Sequence, residues 1–165
     1  MKVGIQLTKN PEKYEYLLSV LQSEISSSDK VQFIHIPTTE DLKRQIPYLD
    51  ILTSYHLSEE AFQLTNNNLK WVHFGNAGIE QSLHGPLLKS KTIITNASGI
   101  HANPVSEFVM GMILYVSKQF RGCEVFKQDS EWTQWELARK TIQLKNKTVG
   151  IIGFGALGKA IAKKA

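Results

Sequence analysis

Residues 148–158, TVGIIGFGALG, set three glycines at the spacing G-x-G-x-x-G directly after a short apolar run. Each glycine has its own expected duty. Gly153 makes the tight turn out of a strand, Gly155 lets the backbone approach a pyrophosphate, and Gly158 lets the next helix pack closely on that strand. With Phe154, Ala156 and Leu157 they form a candidate dinucleotide site whose diphosphate rests on the N-terminus of a helix starting near Ala156. The acidic residue that reads the ribose 2′-OH is expected roughly 20 positions later, outside these residues, so NAD and NADP both remain open. A second candidate is Gly75-Asn76-Ala77-Gly78, two glycines around two small residues after a strand. Amides in such a loop can converge on a carboxylate, and an ordinary strand-to-helix loop fits the same residues equally well. Tyr55 and His56 follow another strand, at the carboxyl edge where α/β sheets bind ligands, and are second-rank candidates for lining the same cleft. His101, in SGIHANP, reads as a structural or capping residue. No metal site is expected.

The elements that must hold these residues alternate. Strands are expected over residues 3–7, 31–36, 51–54, 71–74 and 92–95, short and rich in Val, Ile and aromatics, several of them apolar without strict alternation. That pattern belongs to parallel strands covered on both faces, and the intervening helices imply an open parallel α/β sheet. Asn10 is placed to cap a helix starting at Pro11, and Thr38 and Ser58 each precede acids suited to a first helical turn. Asn103-Pro104 repeats the cap-plus-proline start. It opens a helix over 105–120 that is apolar nearly all round and needs more cover than one sheet face provides. Gly122 is its expected stop. The stretch 124–147 is largely polar, and Trp132 and Trp135 are expected to pack on an adjoining surface.

Composition narrows the function classes. The 165 residues carry 19 basic and 15 acidic side chains, a net charge of +4, and seven of the bases fall within the 27 residues 139–165. That stretch has no interleaved aromatics, helix-turn-helix signature or zinc-finger spacing, so no nucleic acid partner is expected. Cys123 is the only cysteine, which rules out an internal disulfide and suits a reducing compartment. The first residues do not read as a signal peptide, and the apolar stretch 108–116 is too short to cross a bilayer. The expected placement is cytoplasmic, with no membrane partner.

Three stretches in order, residues 69–79 (LKWVHFGNAGI), 95–114 (TNASGIHANPVSEFVMGMIL) and 144–158 (LKNKTVGIIGFGALG), resemble the D-isomer-specific 2-hydroxyacid dehydrogenases. The resemblance implies a flavodoxin-like substrate domain over 1–100, completed by a returning C-terminal segment, an interdomain helix over 101–122, and the first β-α of an NAD(P)-binding Rossmann domain from 123. It also implies hydride transfer at the CH–OH group of a small D-2-hydroxy acid or its 2-oxo form, with NAD preferred to NADP. Gly75–Gly78 would take the substrate carboxylate, and the long helix would lie near the contact of a homodimer. The family's catalytic Arg, Glu and His follow the glycine motif. No catalytic residue is therefore expected within residues 1–165, and the chain alone, an incomplete N-terminal portion on this reading, is expected to be inactive. The alternative is a non-enzymatic dinucleotide-sensing or scaffold protein on the same fold.

Overall fold

The computed structural model describes residues 1–25, 30–130, 132 and 134–165. These divide into two compact units, Met1–Ser98 and Gly99–Ala165.

In the first unit five strands, β1 (Lys2–Gln6), β2 (Gln32–His35), β3 (Ile51–Ser54), β4 (Trp71–Phe74) and β5 (Ile93–Asn96), form one sheet. All pairings are parallel, and the order is β2-β1-β3-β4-β5. This is the flavodoxin-like order, in which the chain reverses its direction of travel between β1 and β3. Helices α1 (Pro11–Glu24), α2 (Thr39–Gln45), α3 (Glu59–Gln63) and α4 (Gly85–Lys89) make the crossovers. Three start where local chemistry satisfies the free amides of a first turn. The Asn10 side chain accepts from Glu12 and Lys13, Thr38 from Asp41, and Ser58 from Ala61.

The core lies on one face of the sheet, where Leu52, Val72 and Phe74 meet Leu42, Phe62 and Leu87 from α2, α3 and α4. The opposite face is less covered than continuous apolar strands suggest. There α1 meets β2 through Tyr14 stacked on His35 at 4.3 Å. At the far edge Ile93 is 63% exposed and Trp71 38%. The single crossover helix on that side reaches the β2 end of the sheet and leaves β4 and β5 open.

The second unit holds α5 (Ala102–Ser117), α6 (Phe120–Asp129), α7 (Gln134–Lys140) and α8 (Ala156–Lys164). Four sequence expectations are corrected here. The long helix begins at Ala102, with His101 at the N-cap position but making no side-chain cap bond, so Asn103 and Pro104 lie inside the first turn. It ends at Ser117 because Gln119 turns left-handed (φ 57°), and α6 then restarts at Phe120. Gly122 lies within α6 and stops nothing. A Cβ there would come within 2.5 Å of Leu137 Cδ2, so the glycine makes room for α7. Residues 148–152 form no strand, because among the described residues no neighbouring strand closes their hydrogen bonds. The apolar character of α5 is real, with Phe108 68% and Val116 61% exposed. Trp132 meets Phe126 edge-on at 5.2 Å, yet it and Trp135 remain mostly exposed. Among the described residues no helix is long and apolar enough to cross a membrane, and no cluster suits a metal ion.

Candidate functional site

The loop Gly75–Gly78 leaves the carboxyl end of β4 and is held almost entirely through its carbonyls. The Gly75 amide extends the ladder by donating to Ser54 O at 2.9 Å. Beyond it, the Asn76 carbonyl accepts from the Ala97 amide (3.2 Å), the Ala77 carbonyl from the Asn96 side chain (2.6 Å), and the Gly78 carbonyl from the Asn76 side chain (2.7 Å). With three successive carbonyls engaged, no acceptor among the described residues meets the amides of Asn76, Ala77 or Gly78. Three unpaired donors in one short loop are the ingredients of an anion-binding nest. Asn76 Oδ1 is buried and likewise lacks a partner.

Tyr55 and His56 stand beside this loop. A Cβ on Gly75 would come within 2.9 Å of Tyr55 Cε1 and 3.0 Å of Leu7 Cδ2, so the tyrosine ring lies across the glycine. The His56 amide donates to Ser54 Oγ (3.1 Å), and its Nδ1 is 3.0 Å from Ser82 Oγ, which also accepts from the Leu57 amide. Both serines are buried. A cavity of about 140 Å³ lies between Tyr55, His56, Asn76, Gly78 and the 3-10 turn Glu80–Ser82. All six sequence candidates in this unit therefore belong to one small region. Asn96, Ser54 and Ser82 were missed. Their only advance signal was position, since Ser54 and Asn96 end strands at the same edge as the loop.

His84, also outside the sequence reading, caps α4 by accepting the Leu87 amide at Nδ1 (3.3 Å). Its Nε2 is buried without a partner among the described residues. Burial holds its pKa below the ordinary histidine value; Glu59 opposes that shift and His56 adds to it.

In the second unit Gly153 has φ +90°, a conformation that side chains resist. A Cβ on Gly158 would overlap the Gly153 carbonyl, whereas one on Gly155 would meet no atom within 4 Å. The turn and the close packing are thus demands of the protein itself, and nothing in its own packing requires glycine at 155. Gly155 caps α8 without a side chain. The first helical bond runs from Lys159 N–H to Gly155 O at 3.0 Å, leaving the amides of Ala156, Leu157 and Gly158 outside the helical ladder. Phe154 and Leu157 are exposed beside them. These residues fit a dinucleotide diphosphate.

Residues 110–165 match the family model of the D-isomer specific 2-hydroxyacid dehydrogenase NAD binding domain. Over that stretch the chain is similar to the cofactor domain of the D-isomer specific 2-hydroxyacid dehydrogenases. The chain is 30% identical over 98 residues to glyoxylate/hydroxypyruvate reductase A of Arabidopsis thaliana, covering 59% of this chain and 31% of that protein. It is 28% identical over 129 residues to hydroxypyruvate reductase of Thermotoga maritima, covering 76% and 41%. The chain thus spans less than half the length of these relatives. The fold is shared with D-lactate dehydrogenase of Aquifex aeolicus, solved with NAD and lactic acid, at TM-score 0.68 and 16% identity, over 99% of this chain and 47% of that one.

Proposed function

We propose that this chain carries the acid-binding loop and the dinucleotide turn of an oxidoreductase acting on a small D-2-hydroxy acid or 2-oxo acid, with NAD preferred to NADP. The observation that carries the reading is the row of unpaired amides at Asn76, Ala77 and Gly78, whose carbonyls are all engaged elsewhere. Those amides bind the substrate carboxylate, with Tyr55 and His56 closing the side of the site. Gly153–Gly158 and the first amides of α8 hold the cofactor diphosphate. Bound there, a nicotinamide dinucleotide would supply or accept the hydride at C2 of the acid. The chain's own contribution is orientation and hydrogen bonding of the carboxylate by backbone amides. Glyoxylate and hydroxypyruvate, named for the relatives, are the first substrates to test. The protein is placed in the cytoplasm as a homodimer joined through the exposed apolar side of α5.

Calorimetry with NADH and NADPH on the 165-residue chain and on Gly155→Val tests this. The valine is expected to raise the NADH dissociation constant about tenfold or more, about 1.4 kcal/mol. No residue of 1–165 is assigned the proton transfer, so binding without NADH oxidation is the expected outcome with glyoxylate. Unchanged affinity in the variant removes the turn from the site, and steady turnover by the wild-type chain shows that residues 1–165 carry the proton transfer themselves.

A further inference from the structure

Ser82 is buried at the end of the Glu80–Ser82 turn, which follows the acid loop closely in the chain. Backbone bonds fix its place, with the Ser82 amide donating to Ile79 O (2.9 Å) and the Ser82 carbonyl accepting from the His84 amide (3.1 Å). Among the described residues its Oγ meets two groups, the Leu57 amide at 3.2 Å and His56 Nδ1 at 3.0 Å.

A serine hydroxyl has one proton to give and two lone pairs to accept with. The Leu57 N–H can only donate, so Oγ accepts there. The hydroxyl proton then has one acceptor among the described residues, His56 Nδ1. A neutral imidazole that accepts at Nδ1 carries its own hydrogen on Nε2. The opposite tautomer would turn Nδ1–H toward Ser82 and strand the buried hydroxyl proton, a loss that favours Nε2–H by about fivefold or more. The His56 backbone is pinned as well. Buried Ser54 Oγ accepts the His56 amide (3.1 Å) and stands 2.8 Å from the His56 carbonyl. The imidazole itself is exposed on the wall of the cavity of about 140 Å³ that it shares with Asn76 and Gly78.

Resting on the reading of residues 76–78 as the carboxylate site, we propose that Ser82 is a positioning residue, whose hydroxyl proton fixes neutral His56 with hydrogen on Nε2 so that this N–H donates to the bound acid. A lone pair at Nε2 would repel the carboxylate. An N–H there adds a side-chain donor to the three loop amides. Ser82 acts through the ring, since its own proton is committed to Nδ1.

The test uses the ¹⁵N-labelled 165-residue chain at pH 8, above the ordinary histidine value of about 6.5. Multiple-bond ¹H–¹⁵N spectra read the tautomer, and titration with glyoxylate reads affinity. The expected result is Nε2–H at His56 in the wild type, with Ser82→Ala mixing the tautomers and weakening glyoxylate at least about threefold. His56→Ala is expected to weaken it about tenfold, and adding Ser82→Ala to that variant to cost no further affinity. If Ser82→Ala does not fold, the wild-type tautomer and the His56→Ala affinity decide. A wild-type Nδ1–H tautomer, unchanged affinity in His56→Ala, or an equal loss from Ser82→Ala in both backgrounds overturns the proposal, and the loop reading stands where glyoxylate still shifts the amides of 76–78. No glyoxylate binding overturns both.

Discussion

The sharpest structural test contrasts two glycines three residues apart, Gly155→Ala and Gly158→Ala. At 158 the new methyl would collide with the Gly153 carbonyl oxygen and lie 3.2 Å from the carbonyl carbon and 3.3 Å from Ile151 Cγ2. Two of these neighbours are backbone atoms of a turn already held at φ +90°, so the strain cannot be relieved by a side-chain rotation. Overpacking of this kind costs about 1–3 kcal/mol. At 155 the methyl meets nothing, and the backbone (φ −81°, ψ −155°) is open to any residue. The gain from a stiffer unfolded chain, about 0.4–1 kcal/mol, is offset by alanine's poorer capping, leaving a change within about 0.5 kcal/mol. Thermal unfolding followed through Trp132 and Trp135, both in the second unit, reads the difference. A unit of this size shifts its midpoint about 4–8 °C per kcal/mol, so Gly158→Ala is expected to melt at least about 4 °C lower and Gly155→Ala within a few degrees of wild type. Equal destabilisation by both, or none by Gly158→Ala, refutes the division between packing glycines and the ligand-facing one.

Asn96→Ala removes the donor that holds the Ala77 carbonyl at 2.6 Å. It is expected to cost about 1 kcal/mol of stability and to weaken acid binding roughly fivefold, with calorimetry and thermal unfolding as the checks. His84 can cap α4 only while Nδ1 is unprotonated, and its pKa is lowered on folding, so the unfolded chain takes up the proton first as pH falls. The cap's stability is complete above the unfolded histidine value of about 6.5 and declines below it toward the depressed folded value. His84→Asn, a cap that does not titrate, is expected to flatten urea-measured stability between about pH 7 and 5 relative to wild type. Phe108→Glu alters a side chain that is 68% exposed, so folding is expected to persist. Sedimentation is expected to show the protomer in place of a dimer, and a monomeric wild type removes α5 as the contact.

Much of the first unit was legible because its signals are local. The caps at Asn10, Thr38 and Ser58 are chosen by the residues beside them, and strands β3 and β4 coincide with their short apolar runs. What escaped depends on distant partners. Glutamine has no marked preference for the left-handed conformation, so nothing near Gln119 announces the break between α5 and α6. Gly122 resembles a helix stop until Leu137, 15 residues later, packs against it. Residues 148–152 have a strand's composition, but a strand requires a neighbour to pair with. At the loop, the glycines could be read directly, whereas the engagement of its carbonyls relies on Asn96 and Ala97 from the next strand and its end. His84 was hidden because an imidazole is an uncommon cap and its burial is a property of the fold.

The central claim is that the amides of residues 76–78 receive a carboxylate. An ¹⁵N-labelled sample of the 165-residue chain titrated with D-lactate and glyoxylate, with acetamide as an uncharged control, tests it directly. Saturable downfield shifts at Asn76, Ala77 and Gly78 with both acids and none with acetamide are the predicted result, weakened in Asn96→Ala. Shifts that leave those three amides unmoved while the acids bind elsewhere would contradict it.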